Sequence, residues 1–117
     1  MARRIALVLT DGPADERTLT AMRLAERLLA RGIRVTVFAH GGAATLAAGE
    51  GDVARAVTRL LRRGVHGATL DWVVDGGAAR DLGVETHQAS GVVHGDHADL
   101  WAFVREADLV LSVGGVT

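Results

Sequence analysis

A chain of 117 residues, of which 49% are hydrophobic, is long enough to form one domain over residues 1–117 with a buried core. The net charge of −1 provides no basic field for nucleic acid, and the absence of cysteine excludes disulfides, thiolate metal sites and thiol nucleophiles. All 13 basic residues are arginine, so a lysine Schiff base and a phosphate-loop lysine are excluded as well.

Neither a membrane-spanning segment nor a signal peptide is predicted. No apolar run approaches the roughly 20 residues that cross a bilayer. Only about six apolar residues lie between Arg4 and Asp11, which is too few for the apolar core of a signal peptide. We therefore predict a cytoplasmic protein that binds neither membranes nor nucleic acid.

Short apolar runs alternate with amphipathic segments along the chain. An uninterrupted apolar run suits a strand that is buried on both faces, as in a parallel sheet covered by helices. Strands are predicted at residues 5–10, 34–39, 69–74, 91–94 and 109–113. Because strands and helices alternate with short links, we predict right-handed crossovers and a three-layer α/β/α, Rossmann-like domain with five parallel strands.

Capping residues and apolar spacing predict the helices. They are expected from residues 13–15 to Arg31, over 52–63 with Gly64 as the stop, over 78–83, and after the capping residue Asp96. The predicted buried stripes are Leu19, Met22, Ala25 and Leu29 in the first helix, and Leu100, Phe103, Val104 and Ala107 in the last.

Two segments allow a structural or a binding interpretation. Residues 41–51 are rich in Ala and Gly and predict a loop with one helical turn at 43–48. The alternative, a phosphate-cradling loop, is disfavoured because no GxGxxG or Walker pattern is present. The arginines of the second helix predict a solvated face, with anion binding as the alternative.

Polar residues lie at the carboxyl ends of the predicted strands, directly after the apolar runs. These residues are Asp11 with the adjacent Gly12, His40, Asp75 and His94. In an open parallel sheet, ligands bind outside the carboxyl ends of the strands. We therefore expect these residues to line one polar cleft at that edge.

The chemistry of this cleft has three interpretations. Imidazole and carboxylate groups together bind Zn²⁺ or another divalent metal ion, and His87, His94 and His97 would be its histidine ligands. A polar small molecule or anion would instead use protonated histidines. In the third interpretation these residues are only turn residues, because Asp and His are common in turns and Asp11 and Asp75 each precede glycine.

Four passages resemble the DsrE/DsrF/TusD family of sulfur-relay proteins, also called DsrE-like. They are IALVLTDGP at residues 5–13 followed by Glu16-Arg17, VTVF at 35–38, LLRRGV at 60–65, and GVVHG at 91–95 followed by EADLVLS at 106–112. Their order and spacing extend the resemblance over nearly the whole chain. The resemblance implies the same three-layer fold.

The resemblance breaks at the chemical centre. Family members that carry sulfur hold it as a persulfide on a cysteine just after the third strand, and that position falls on Asp75 here. A second cysteine of some members falls on Ala78. The chain therefore resembles family subunits that lack the active cysteine and serve structurally. The family implies self-association as a trimer or hexamer, or assembly with a cysteine-bearing paralogue.

Overall fold

The computed structural model describes residues 3–63 and 70–114. Its strands are β1 (Arg4–Leu9), β2 (Arg34–Ala39), β3 (Leu70–Asp75), β4 (Val93–Gly95) and β5 (Leu109–Val113). Its α-helices are α1 (Glu16–Ala30), α2 (Asp52–Arg63), α3 (Gly76–Asp81) and α4 (His97–Glu106). A 3₁₀ helix, Gly41–Thr45, follows β2.

The five strands form one parallel sheet in the order β4-β3-β2-β1-β5. The first four strands are laid down side by side, and the chain then crosses to the other side of β1 to add β5. Right-handed crossovers therefore place α1, α2 and α3 on one face and α4 on the other. This architecture confirms the predicted α/β fold with a five-stranded parallel sheet.

The main core lies between the sheet and the layer formed by α1 and α2. Alternate residues of the central strands point into it, and Val35, Val37 and Trp72 are at most 1% exposed. From α1 the core receives Met22 and Leu29. Continuous apolar strands are needed here because a central parallel strand is covered on both faces.

The opposite face of the sheet is covered more thinly. Helix α4 is the layer on this side, and Phe103 of α4 and Ala107, which directly follows α4, lie across a small cavity from Ala6 and Thr36. No residue of α4 is fully buried. The predicted inward face of α4 is therefore only half-buried.

Helix α1 begins at its acidic cap. Asp15 has an extended backbone and its side chain accepts a hydrogen bond from the Arg17 backbone N–H at 2.8 Å, so the helix starts at Glu16. The C-terminal end lies at Ala30 and is followed by Gly32 with φ +77°, a conformation that glycine adopts readily.

Several details of the predicted elements needed correction. The fourth strand lies at Val93–Gly95, so it begins two residues later than predicted and His94 is its middle residue. The short third helix starts at Gly76, directly after β3, because Asp75 caps it there. Leu19 is 38% exposed and lies outside the buried part of its helix. The predicted stop at Gly64 and the first residue of the predicted third strand, Thr69, lie outside the described residues.

Within residues 3–63 and 70–114, no helix combines the length and the apolar character that crossing a membrane would require.

Candidate functional site

The predicted site residues lie along the carboxyl edge of the sheet, but on different strands. Asp11 follows β1, His40 follows β2, and Asp75 ends β3. Neighbouring strands are about 4.8 Å apart, so the two strand spacings between β1 and β3 correspond to about 10 Å. His94 on β4 is one strand further from Asp11. The predicted residues therefore fall into a group on β3 and β4 and a group at β1, with His40 between them.

The ends of β3 and β4 surround a cavity of about 420 Å³, which we name the β3–β4 cleft. Its charged and titratable lining residues are Asp75, Arg80, His94, Asp96 and His97. The structure thus brings the predicted Asp75 and His94 together, and adds a guanidinium group that the sequence analysis did not place there.

Asp75 both ends β3 and starts α3. Its Oδ1 accepts a hydrogen bond from the Gly77 backbone N–H at 3.1 Å, which makes it the N-cap of α3. Arg80 folds back over the same turn, because a β-carbon on Gly76 would lie 3.7 Å from Arg80 Nη1. A carboxylate and a guanidinium group therefore flank the two glycines at the mouth of the cleft.

His94 pairs with Val74 in the β3–β4 register. Its Nε2 lies 3.0 Å from the carbonyl oxygen of Glu85. Because a carbonyl oxygen only accepts hydrogen bonds, Nε2 carries the proton in this contact, and the neutral ring keeps its lone pair on Nδ1. His94 is exposed and lines the cleft.

Asp96 and Asp99 form a reciprocal capping box at the start of α4. Asp96 Oδ1 accepts from the Asp99 backbone N–H at 3.1 Å, and Asp99 Oδ2 accepts from the Asp96 backbone N–H at 2.9 Å. The hydrogen bond from the Asp99 backbone lowers the pKa of Asp96 below its ordinary value. The Asp96 carboxylate therefore stays ionised and is committed mainly to the fold.

The histidines do not assemble into a metal site within the described residues. No group of three or more His, Asp or Glu side chains in 3–63 and 70–114 is placed to hold a metal ion. His97 lines the cleft with His94, but His87 is not among the residues lining it. His87 instead lies in a turn where its backbone carbonyl accepts from Gly49 at 3.1 Å. The predicted set of His87, His94 and His97 is therefore not brought together in one chain.

A second cluster lies where β1 and β5 adjoin, and we name it the β1–β5 cluster: Asp11, Asp15, Arg17 and Gly114. The Arg17 guanidinium lies 3.6 Å from Asp11 Oδ2 and 3.0 Å from Asp15 Oδ2, and it donates to the Gly114 carbonyl at 3.1 Å. The strand order reverses between β1 and β5, because β5 lies on the side of β1 opposite to β2, β3 and β4. Open α/β sheets form ligand crevices at such a reversal.

Electrostatics in the β1–β5 cluster hold Arg17 in place. Hydrogen bonds from the Arg17 side chain lower the pKa of Asp15, and the Asp15 side chain in turn raises the pKa of Arg17. Both groups therefore stay charged at neutral pH. The guanidinium already contacts two carboxylates and one carbonyl, so it links the ends of β1 and β5 to the start of α1.

The segment after β2 is committed to internal hydrogen bonds. The His40 backbone N–H donates to Leu9 at 3.0 Å, and the Ala43 N–H donates to the Thr10 carbonyl at 3.3 Å. Gly42 lies against the turn at Gly12, since a β-carbon on Gly42 would be 3.2 Å from the Gly12 nitrogen. These contacts favour the structural loop over a phosphate cradle, because amide groups that would hold a phosphate are already bonded.

Sequence analysis did not predict Arg17 in the β1–β5 cluster or Arg80 in the β3–β4 cleft. Arg17 is recognisable in retrospect, because it follows Asp15 by two residues and Asp11 by six. Arg80 lies four residues after Gly76 in α3, so helical spacing brings it over that glycine, but the sequence analysis began the third helix at Ala78 and did not pair the two residues.

This arrangement is the DsrE/YchN-like fold, as the solved structures with the same architecture show. The YchN protein of E. coli superposes with a TM-score of 0.74 at 19% identity, over 96% of this chain and 99% of YchN. MTH1491 of Methanobacterium thermoautotrophicum, a protein of unknown function, gives a TM-score of 0.74 at 14% identity over 93% of this chain and 98% of that one.

A third solved structure, the conserved protein of unknown function BT1422 of Bacteroides thetaiotaomicron, gives a TM-score of 0.68 at 16% identity, over 92% of this chain and 93% of that one. No protein-family model and no curated protein sequence matches the chain. At these identities the likeness defines the fold.

Proposed function

We propose that this chain is a DsrE-like subunit that cannot carry sulfur, and that it acts by binding and assembly. Its partners are further copies of itself, in a trimer or hexamer, or a cysteine-bearing paralogue. The shared fold supports this proposal at the level of architecture. Its specific role rests on the residues of the β3–β4 cleft.

The observation that carries the proposal is the position of Asp75. The family resemblance places the persulfide cysteine at this residue, and Asp75 lies at the end of β3 beside the open cleft. A carboxylate cannot accept sulfane sulfur, because the acceptor must be a thiolate. Here the carboxylate caps α3 instead, so a structural role replaces the chemical one.

Exposed apolar side chains support assembly. Trp101 on α4 is 64% exposed, Val93 on β4 is 58% exposed and Leu109 on β5 is 50% exposed. Trp72, in contrast, is buried in the core and offers no surface to a partner. These exposed side chains supply surface that an assembly would bury.

The first experiment tests sulfur transfer by intact-mass spectrometry. Incubation of the wild-type protein with a small-molecule persulfide should leave its mass unchanged. A stable gain of one sulfur atom by the wild-type chain would contradict the proposal.

The second experiment restores a thiol with Asp75→Cys. We expect the new thiolate to attack the outer sulfur of the persulfide and to become a persulfide itself, while the remainder of the donor leaves as a thiol. The nearby Arg80 guanidinium should favour this reaction because it stabilises the thiolate. Ser90→Cys is the matched control, since it places a thiol on an exposed loop outside the cleft. Equal reactivity of the two variants would show that the cleft has no special acceptor geometry.

Light scattering and affinity capture test assembly. We expect the purified chain to be a trimer or hexamer, or to capture a cysteine-bearing DsrE-like protein when both are co-expressed. A chain that stays monomeric at micromolar concentration and captures no such protein would refute the assembly role.

A second candidate function is the binding of a small polar ligand in the β3–β4 cleft. The observation that favours it is the cavity of about 420 Å³ with Arg80, His94 and His97 in its lining. Calorimetric titration with Zn²⁺ and with phosphate at two pH values separates the two ligand classes. Neutral imidazoles favour Zn²⁺ above the ordinary histidine pKa of about 6.5, whereas protonated imidazoles favour phosphate below it.

A further inference from the structure

The two halves of this chain carry opposite charge. Residues 16–63 contain nine arginines and four acidic residues, whereas residues 70–114 contain two arginines and eight acidic residues. The first range includes α1 and α2, and the second includes α3, β4, α4 and β5. Helices α1 and α2, on one face of the sheet, together contain seven arginines and three acidic residues. Residues 96–108, which include α4 on the other face, contain four acidic residues and one arginine. We call these two faces the basic side and the acidic side.

The basic side contains an apolar groove between α1 and α2, which we name the α1–α2 groove. Its volume is about 240 Å³, and its apolar lining residues are Leu19, Met22, Ala56 and Leu60. Arg23 and Arg59 are exposed residues at its rim, and Glu26 also contributes to the lining. Leu19, at 38% exposure, is the part of this lining that solvent reaches most.

The acidic side presents one large aromatic side chain. Trp101 is 64% exposed, and Ala98 and Ala102 on the same outward face of α4 are also exposed and small. Four carboxylates lie close to these residues along the sequence: Asp96, Asp99, Glu106 and Asp108. A tryptophan buries roughly 150–250 Å² when it is covered, so this exposure leaves a large stabilisation unused in the isolated chain.

We propose that Trp101 of one copy of this chain inserts into the α1–α2 groove of a second copy. The groove supplies apolar contact below the indole, and the rim arginines lie where they attract both its π-face and the carboxylates of α4. The two surfaces lie on opposite faces of the sheet, so one chain cannot satisfy both within itself. This inference rests on the self-assembly part of the proposed function and names the surface that carries it.

The contact is head-to-tail, because two different surfaces meet. A heterologous contact leaves one groove and one tryptophan free in a dimer, so it adds subunits until the ring closes. Charge attraction contributes to it, so raising the salt concentration weakens it. An interface made of the same patch on both chains would behave differently when mutants are mixed.

Complementation between two defective variants is the test, read by analytical ultracentrifugation. Trp101→Ala has an intact groove and no tryptophan to insert, and Arg23→Glu/Arg59→Glu has an intact Trp101 and a reversed rim. We expect each variant alone to self-associate at least about tenfold more weakly than the wild type. An equimolar mixture of the two should form a heterodimer, because one chain supplies the groove and the other supplies the tryptophan.

Matched controls change similar residues away from the contact. Leu82→Ala removes an apolar side chain that is 48% exposed on the loop after α3, and Arg31→Glu reverses an exposed charge at the end of α1. Both should associate like the wild type. Circular dichroism verifies folding of every variant, and Arg59→Gln replaces the double variant if that one does not fold.

The outcomes separate this inference from the proposed function. If Trp101→Ala assembles like the wild type, or if the mixed variants do not pair, the proposed contact is wrong while self-assembly stands. If the wild type itself is monomeric at micromolar concentration, the proposed contact and self-assembly both fall, and only the capture of a cysteine-bearing paralogue is left of the proposed function. If Trp101→Ala remains assembled but loses capture of a different protein, the partner of Trp101 is that protein and the second copy is excluded.

Discussion

Arg17 and Asp15 are joined by two side-chain hydrogen bonds at the start of α1, from Arg17 Nε to Asp15 Oδ1 at 3.2 Å and from Nη2 to Oδ2 at 3.0 Å. The same arginine reaches the carbonyl of Gly114 at the end of β5. One side chain thus connects the first turn of α1 to the two strands between which the sheet reverses its order. We expect the acid stability of the fold, and its tolerance of a larger residue at Gly114, to depend on this region.

The first prediction concerns acid stability. The pKa of Asp15 is lowered in the folded chain, above all by the Arg17 side chain, so its carboxylate stabilises the fold above the unfolded pKa of about 3.9. This stabilisation disappears as the pH falls through the lowered pKa. Asp15→Asn keeps a capping side chain but does not titrate, so its unfolding free energy should fall less steeply than that of the wild type below about pH 4. Urea unfolding across that range measures the difference, and parallel curves would contradict it.

The second prediction concerns the close approach of β5 to the end of β1. A β-carbon on Gly114 would overlap the Thr10 side chain, with Thr10 Cβ only 2.9 Å away. Gly114→Ala should therefore destabilise the fold by about 1–3 kcal/mol. Gly51→Ala is the control, because nothing lies within 4 Å of a β-carbon there.

Combining Gly114→Ala with Thr10→Gly should recover part of this loss, since the second change removes the obstructing atoms. A double-mutant cycle measures the recovery. Additive effects of the two substitutions would show that the two residues do not meet.

The third prediction separates the two tryptophans. Trp72 is 1% exposed and Trp101 is 64% exposed. Trp72→Ala leaves a large core cavity and should cost about 3–5 kcal/mol of unfolding free energy. Trp101→Ala should change that free energy by less than about 0.5 kcal/mol when measured at high salt, where the proposed contact between copies is weakened.

Iodide quenching gives an independent measurement of the two tryptophans. Fluorescence of Trp72→Phe, which retains only Trp101, should be quenched strongly, and that of Trp101→Phe weakly. Stronger quenching of Trp101→Phe than of Trp72→Phe would contradict the burial of Trp72 and the exposure of Trp101.

The fourth prediction concerns the cap of the third helix. Asp75 Oδ1 accepts from the Gly77 backbone, and asparagine can replace it in that bond whereas alanine cannot. We expect Asp75→Ala to cost about 1 kcal/mol and Asp75→Asn to cost much less. Thermal unfolding of both variants decides whether Asp75 is primarily a cap. Equal losses would show that the charge of Asp75 matters more than its hydrogen bond.

Local chemistry determined much of this fold from the sequence. The apolar runs that became β2 and β5 were predicted with their observed ends, because polar residues or glycine border them, at His40 for β2 and at Asp108 and Gly114 for β5. Asp96 was predicted as a cap and forms a full capping box. The lack of cysteine alone left this chain without a thiol that could accept sulfane sulfur.

Tertiary structure alone decided which polar residues meet. The sequence placed Asp11, His40, Asp75 and His94 at one edge of the sheet, but the order of the strands separates β1 from β4 by two intervening strands. Strand order depends on crossovers between distant segments, and no local pattern encodes it. The same holds for the meeting of Arg80 with His94, because β4 has to pair with β3 before α3 and the start of α4 line one cleft.

The exposure of the two tryptophans was decided in the same way. Both residues are apolar by sequence, yet the register of β3 with β2 turns Trp72 into the core, and the thin cover on the other face leaves Trp101 in solvent. Residue type sets the free energy that burial offers. Whether a side chain gains this free energy depends on whether other elements of the fold cover it.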